Sequence, residues 1–183
     1  MRVLIGLLIL SIFFMSGCLS LGDSKSVARE LRGERSTYVT EGLLAPVSLT
    51  DQQKYENVLL SYRKRIREGG GLESGILDDY VSGSLLLITL QQNLNNGNTA
   101  LLEAEAESHI CGKGTRMDMA LASYQSAKEN AQQARTYFSR VLSSVEIANE
   151  LGIDFLENAL STLEGGQTAY EQRAYDIKTA CSI

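Results

Sequence analysis

One histidine, one proline and no tryptophan occur in 183 residues, and cysteine appears three times. A single histidine, His109, excludes the pair of Glu-x-x-His motifs that a di-iron carboxylate bundle requires. Glu105 and His109 stand four apart on one predicted helix face, but two ligands are not a metal site, and a surface ion pair is the reading they support. A His109/Cys111 nucleophilic pair fails on geometry, because residues two apart on a helix point in different directions. No catalytic group, metal or cofactor is therefore expected. The scarcity of proline, with no alternating β-branched runs, argues for helices and against strands. Positive charge is in the minority, 17 Lys+Arg against 22 Asp+Glu. A chain of net charge −5 lacks the basic footprint that general nucleic-acid binding needs to neutralise phosphates.

Long apolar runs are also missing. Val3–Met15 covers roughly 20 Å at about 1.5 Å per residue, short of a hydrocarbon layer about 30 Å thick, so it does not predict a stable spanning helix. Arg2 before this run and small residues after it give the layout of a removable secretory signal, cut before Cys18. Met15-Ser16-Gly17-Cys18 resembles the lipobox of prokaryotic lipoproteins, with methionine where members usually carry leucine. The resemblance implies a signal peptide over 1–17 and a diacylglyceryl group on Cys18, which becomes the first mature residue. It also implies an extracytoplasmic, membrane-anchored protein; Leu19, in place of an aspartate, points to the outer membrane if the source has two. A two-chain lipid is sufficient for such anchoring.

Once that resemblance assigns Cys18 to lipid, Cys111 and Cys181 remain as an even pair in an oxidising compartment, where a disulfide is favoured over two buried free thiols. A bridge closing a loop of this length would stabilise by about 4 kcal/mol on the chain-entropy account.

Residues 18–49 read as a tether. They hold Lys25, Arg29, Glu30, Arg32, Glu34, Arg35 and the only proline, Pro46, with room for a short helix over Ser24–Arg32. Tyr38, Val39, Leu43, Leu44 and Val47 are apolar enough for part of this stretch to pack on the rest. Residues 50–183 read as one helical domain.

Thr50-Asp51-Gln52-Gln53 matches a capping box and predicts the first helix of that domain, with Tyr55, Leu59, Tyr62 and Ile66 inward and Gly69-Gly70-Gly71 as its stop. Ile76, Tyr80, Gly83, Leu87, Leu90 and Leu94 predict a second helix ending at Asn95-Asn96-Gly97, and a short third follows from Asn98 to Cys111. The strongest signal is a fourth, over about 115–150, in which Ala120, Tyr124, Ala127, Ala131, Ala134, Phe138, Val141, Val145 and Ala148 repeat at 4-3 spacing. Such a seam is on the order of 50 Å long, and its alanines admit a close neighbour. Gly152 interrupts it; a fifth helix from Asp154 stops at Gly165-Gly166, and a capping box at Thr168 opens the last, with Tyr170, Ala174, Ile177 and Cys181 in a row. The fold class expected is all-α, an antiparallel helical bundle. Helices of unequal length with no recurring motif argue against a solenoid.

Cys111-Gly112-Lys113-Gly114-Thr115 lacks the order and the preceding strand of a P-loop and reads as an interhelix turn with Thr115 as N-cap. Arg63, Lys64, Arg65 and Arg67 crowd a helix C-terminus in greater number than the helix dipole calls for, which makes them candidates for contact with an anionic surface, lipid or protein. Glu103, Glu105 and Glu107 read as a solvent face. Tyr55, Tyr62, Tyr80, Tyr124 and Tyr170 fall on inner rows and read as core, while Tyr137 and Tyr175 are the exposed candidates. Together these readings describe a lipid-anchored, non-catalytic interaction or scaffold module of the cell envelope with a protein partner. The competing reading is a lipoprotein whose bundle encloses a cavity for a small apolar ligand.

Overall fold

Helix starts are set by side chains that satisfy the free backbone N–H groups of a first turn. The computed structural model describes residues 23–41, 43–70, 73–106 and 114–181. Within them six helices and no strands form: α1 (Ser24–Tyr38), α2 (Leu49–Gly69), α3 (Ser74–Ala106), α4 (Gly114–Leu142), α5 (Val145–Leu151) and α6 (Leu156–Cys181). At the start of α2 the cap is Ser48 rather than Thr50: its Oγ accepts from Asp51 N–H at 3.1 Å and donates to the Asp51 carboxylate at 2.8 Å. Gln52 is free to turn inward. Fully buried, it donates to the Pro46 carbonyl at 2.8 Å and pins the preceding loop.

The segment expected to be a tether is folded from Asp23 onward. Val27, Ala28 and Leu31 recur at helical spacing and are buried, so α1 runs to Tyr38, past the Arg32 limit read from the sequence. Val39 and Ala45 are buried as well, whereas Leu43 and Val47 stay exposed.

The long central pair is α3 and α4. Contacts from Asp79 to Arg140, Gly83 to Phe138, Gly97 to Tyr124 and Glu103 to Arg116 fix an opposed direction along their whole length. Asn95-Asn96-Gly97 does not end α3, because each part of the expected stop has a use within a continuous helix. Asn95 accepts from Gln91, Asn98 accepts from the Tyr124 hydroxyl at 2.8 Å, and Gly97 lies under the Tyr124 ring. Tertiary packing has overridden local preference.

The seam on α4 is as expected up to Val141: Ala120, Tyr124, Ala127, Ala131, Ala134, Phe138 and Val141 are all buried. Beyond it the expectation of one helix to residue 150 fails. Ser143 Oγ donates to the Arg140 carbonyl at 2.6 Å, the chain turns at Ser143-Ser144, and Val145 is left 67% exposed. Serine hydroxyls that take backbone carbonyls compete with helix continuation. The turn lets α5 bury Ile147, Ala148 and Leu151, and it lies alongside α1 in the same direction through Lys25–Glu146 and Arg29–Glu150 ion pairs. Gly152 closes α5 in the left-handed region at φ 59°, a conformation with no steric cost for glycine alone.

Gly165-Gly166 and Thr168 do not divide the last segment either. α6 is continuous and held to α4 on both sides of that point, by Leu160 and Arg135–Ser161 before it and by Ala174 and Lys178–Asp118 after it.

Two apolar cores result. The head joins α1, α2, α5, the first half of α3, the second half of α4 and the start of α6. The stem is smaller, with Ala100, Leu101, Ala104, Met117, Ala120, Tyr124 and Ala174 drawn from α3, α4 and α6. An alanine at Gly83 would put its Cβ 2.8 Å from Phe138 Cζ, and one at Gly97 would stand 2.7 Å from Tyr124 Cε1. Gly83→Ala and Gly97→Ala should each destabilise by about 1–3 kcal/mol in urea unfolding, through overpacking. Gly33→Ala, in mid-helix with nothing within 4 Å of the added atom, should instead stabilise by about 0.5–1 kcal/mol.

Candidate functional site

Of the residues singled out from the sequence, Cys18, Glu107, His109, Cys111 and Lys113 lie outside the described residues. Cys181 is the last residue of α6. Among the described residues no group of three His, Cys, Asp or Glu is placed to hold a metal ion, and no described helix is long and apolar enough to cross a membrane.

The basic run at the end of α2 meets carboxylates from neighbouring helices. Arg63 contacts Asp78 at 2.9 Å and Ser82 at 2.6 Å, and Arg67 reaches the other oxygen of Asp78 at 3.2 Å. Arg65 binds Glu30 of α1 at 2.6 Å, and Lys64 lies 3.8 Å from Glu68 on its own helix. The excess of cations beyond what the dipole calls for is thus used to lock α2 to α1 and α3. Burial raises the Asp78 carboxyl, but hydrogen bonds from Arg67 and Arg63 outweigh it and leave its pKa below the ordinary value. Glu30 is lowered chiefly by its hydrogen bond from Arg65. Glu103 and Glu105, expected on a solvent face, pair with Arg116 and Arg173.

Tyr55, Tyr80 and Tyr124 are core residues, as their positions predicted. Burial pushes the Tyr124 phenol up to about 12, with the Tyr170 ring beside it at 6.3 Å. Tyr170, expected inward, is 46% exposed, because only Ala174 of its row is buried against the narrow stem. Tyr175 is exposed as expected, and the Arg140 guanidinium covers Tyr137 at 4.7 Å.

A site that the sequence did not disclose forms where α1 ends beside the α5–α6 turn. Arg32, Arg35, Ser36, Val39, Thr40, Glu41, Leu43, Gly152, Asp154 and Phe155 line a surface groove of about 700 Å³. Arg32 and Arg35 are three apart and share a helix face. Both hold Gly152. The Arg32 guanidinium packs so closely that a Cβ on Gly152 would stand 2.9 Å from its Cζ, and Arg35 Nη2 donates to the Gly152 carbonyl at 2.8 Å. The Phe155 ring lies 5.1 Å from the Arg35 guanidinium carbon, within cation–π range.

Arg35 also faces inward. Its Nη1 is buried without a hydrogen-bond partner, as are the Tyr55 and Tyr80 hydroxyls. Arg35, Tyr55, Tyr80, Ser84 and Phe138 help to line a cavity of about 10 Å³ behind the groove, a space of the order of one water molecule. Burial, with Tyr80 beside it, pushes the Tyr55 phenol well above its usual value. No chemistry of bond breaking follows from this set. It can hold charges and an apolar body in fixed relation.

Because the folded state favours ionised Asp78, that contribution to stability is present above the ordinary value of 3.8 and is lost as pH falls through the lower folded value. Asp78→Asn should therefore cost about 1–2 kcal/mol at pH 7 in urea unfolding, with the difference from the parent chain shrinking only as pH falls below the ordinary carboxyl value of 3.8. A difference that stays constant into acid would contradict this account. No protein-family model, curated protein or solved structure matches this chain.

Proposed function

We propose that this chain is a lipid-anchored, extracytoplasmic protein whose helical head works as a non-catalytic interaction module close to a membrane surface, the outer membrane if the source cell has two. The observation that carries this reading is the spacing between the lipobox-like Met15-Ser16-Gly17-Cys18 and the folded chain. Only Leu19–Gly22 separate Cys18 from Asp23, which caps α1. Five extended residues reach at most about 18 Å. A lipid on Cys18 would then hold the head directly against the bilayer, with the start of α1, the end of α2 and the start of α3 nearest to it. The stem and the groove at the far end of α1 would point away from the membrane.

An apolar-ligand site inside the bundle has less support, since Phe138 and Tyr124 fill the seam down to Gly83 and Gly97. Contact of Arg63, Lys64, Arg65 and Arg67 with anionic lipid is likewise not needed to account for them, given their carboxylate partners. The Cys111–Cys181 disulfide belongs to this reading. Lys178 of α6 pairs with Asp118 of α4, so the last turn of α6 runs beside the beginning of α4, which starts three residues after Cys111.

Cys18→Ser should abolish incorporation of a labelled fatty acid and release the protein from the membrane fraction; unchanged retention would overturn the anchor. Mass analysis of the non-reduced mature chain should recover peptides of Cys111 and Cys181 joined to each other. Two freely alkylated thiols would refute the bridge.

A further inference from the structure

The groove at the end of α1 has an unusual charge arrangement. Two cations, Arg32 and Arg35, and two anions, Glu41 and Asp154, line one surface depression, yet none of the four pairs with another. Among the described residues the side chains of Arg32, Glu41 and Asp154 make neither ion pair nor hydrogen bond, and Arg35 spends one amine on a backbone carbonyl and keeps the other unpartnered. The four charges reach the groove from three separate segments: the arginines from α1, Asp154 from the residues after the left-handed Gly152, and Glu41 from the stretch after Val39. Val39, Leu43 and Phe155 supply an apolar surface within the same groove.

We propose that this groove binds a small zwitterion with an apolar side chain, a free amino acid or a short peptide with both ends uncapped. The carboxylate goes to the forked N–H donors of Arg32, which suit its geometry, while Arg35, held to the Gly152 carbonyl, adds its positive charge at the groove wall. The ammonium goes to Asp154 and Glu41. The side chain rests against Phe155, Val39 and Leu43, and the volume of about 700 Å³ lies in the usual range for small-molecule sites. A plain anion would be repelled by the two carboxylates and a plain cation by the two guanidiniums, so the arrangement selects for a ligand that carries both charges. The assignment stands apart from lipid anchoring, since the groove is built entirely within the folded head.

The test is isothermal titration calorimetry on the full chain in a non-ionic detergent. The ligands are a panel of free leucine, phenylalanine and their dipeptides, and the same dipeptides N-acetylated or C-amidated. Saturable binding is expected for at least one uncapped member, weakened at least tenfold by blocking either end. Arg32→Gln and Asp154→Asn should each weaken it at least tenfold as well. Asp154 makes no hydrogen bond in the fold, so the thermal melt of Asp154→Asn should match the parent chain and separate loss of binding from loss of structure. Arg32→Gln, which also gives up packing on Gly152, is compared with the parent at a temperature where both are folded. Absence of binding by every uncapped member, retention of affinity in either variant, or sensitivity to only one of the two blocked ends would overturn the proposal.

Discussion

Everything in this molecule is hung on the interlock between α3 and α4, where two glycines of one helix receive two aromatic rings of the other. Phe138 sits on Gly83 and Tyr124 on Gly97, and the small side chains of Ala127, Ala131 and Ala134 between them keep the helices close. Ridges fit grooves in such a contact only in one register. That register sets where Arg140 finds Asp79 with two hydrogen bonds of 2.8 Å, and where the head and stem meet. Exposed ion pairs of this kind add little individually, about 0.2–1 kcal/mol. Their value lies in marking one alignment of a seam that alanines alone would leave degenerate.

The head is assembled around that rod by helices whose stability comes from packing an apolar face against their neighbours rather than from their own propensity. α1 is held on one side by α5, through Lys25–Glu146 and Arg29–Glu150, and on the other by α2, through Arg65–Glu30 and the Tyr38–Tyr55 contact. Arg35 then joins α1 to the α5–α6 turn. This explains why residues near the start of the described chain and residues more than a hundred positions later shape one groove. Loops fixed by a rigid scaffold are where recognition usually resides, and the turn at Gly152 is such a loop.

Helical class and the buried face of α4 were legible because a 4-3 repeat survives any detail of tertiary packing: Ala120 through Val141 needed only periodicity. Helix ends were less legible, and the errors share a cause. Asn95-Asn96-Gly97 and Gly165-Gly166 carry the local signals of a stop, but a neighbouring helix uses Gly97 as a seat for Tyr124, and no local rule can see that ring. The reverse happened at Ser143-Ser144, where an apolar row continued on paper through Val145 while the backbone turned. α1 was legible only as a short helix over Ser24–Arg32 within a tether. Its extent to Tyr38 and its packing were hidden by its charges, since Lys25, Arg29, Glu30, Arg32 and Arg35 read as solvated until the partners of four of them, on α5, α2 and the Gly152 turn, are in view. The groove had no sequence signature beyond the three-residue spacing of Arg32 and Arg35, since Asp154 and Phe155 arrive from another part of the chain.

The inequality of the two cores has a further consequence. Proteins open in cooperative pieces, and the pieces with the least buried apolar area open first. Among the described residues the stem buries one large aromatic, Tyr124, while Tyr170 and Tyr175 stand half in water. The second half of α6, beyond the Leu156 and Leu160 that seat its start in the head, is therefore the blade that can swing off while the head stays shut. A covalent clasp between the foot of α6 and the root of α4 would fall at the free end of that blade, where leverage is greatest.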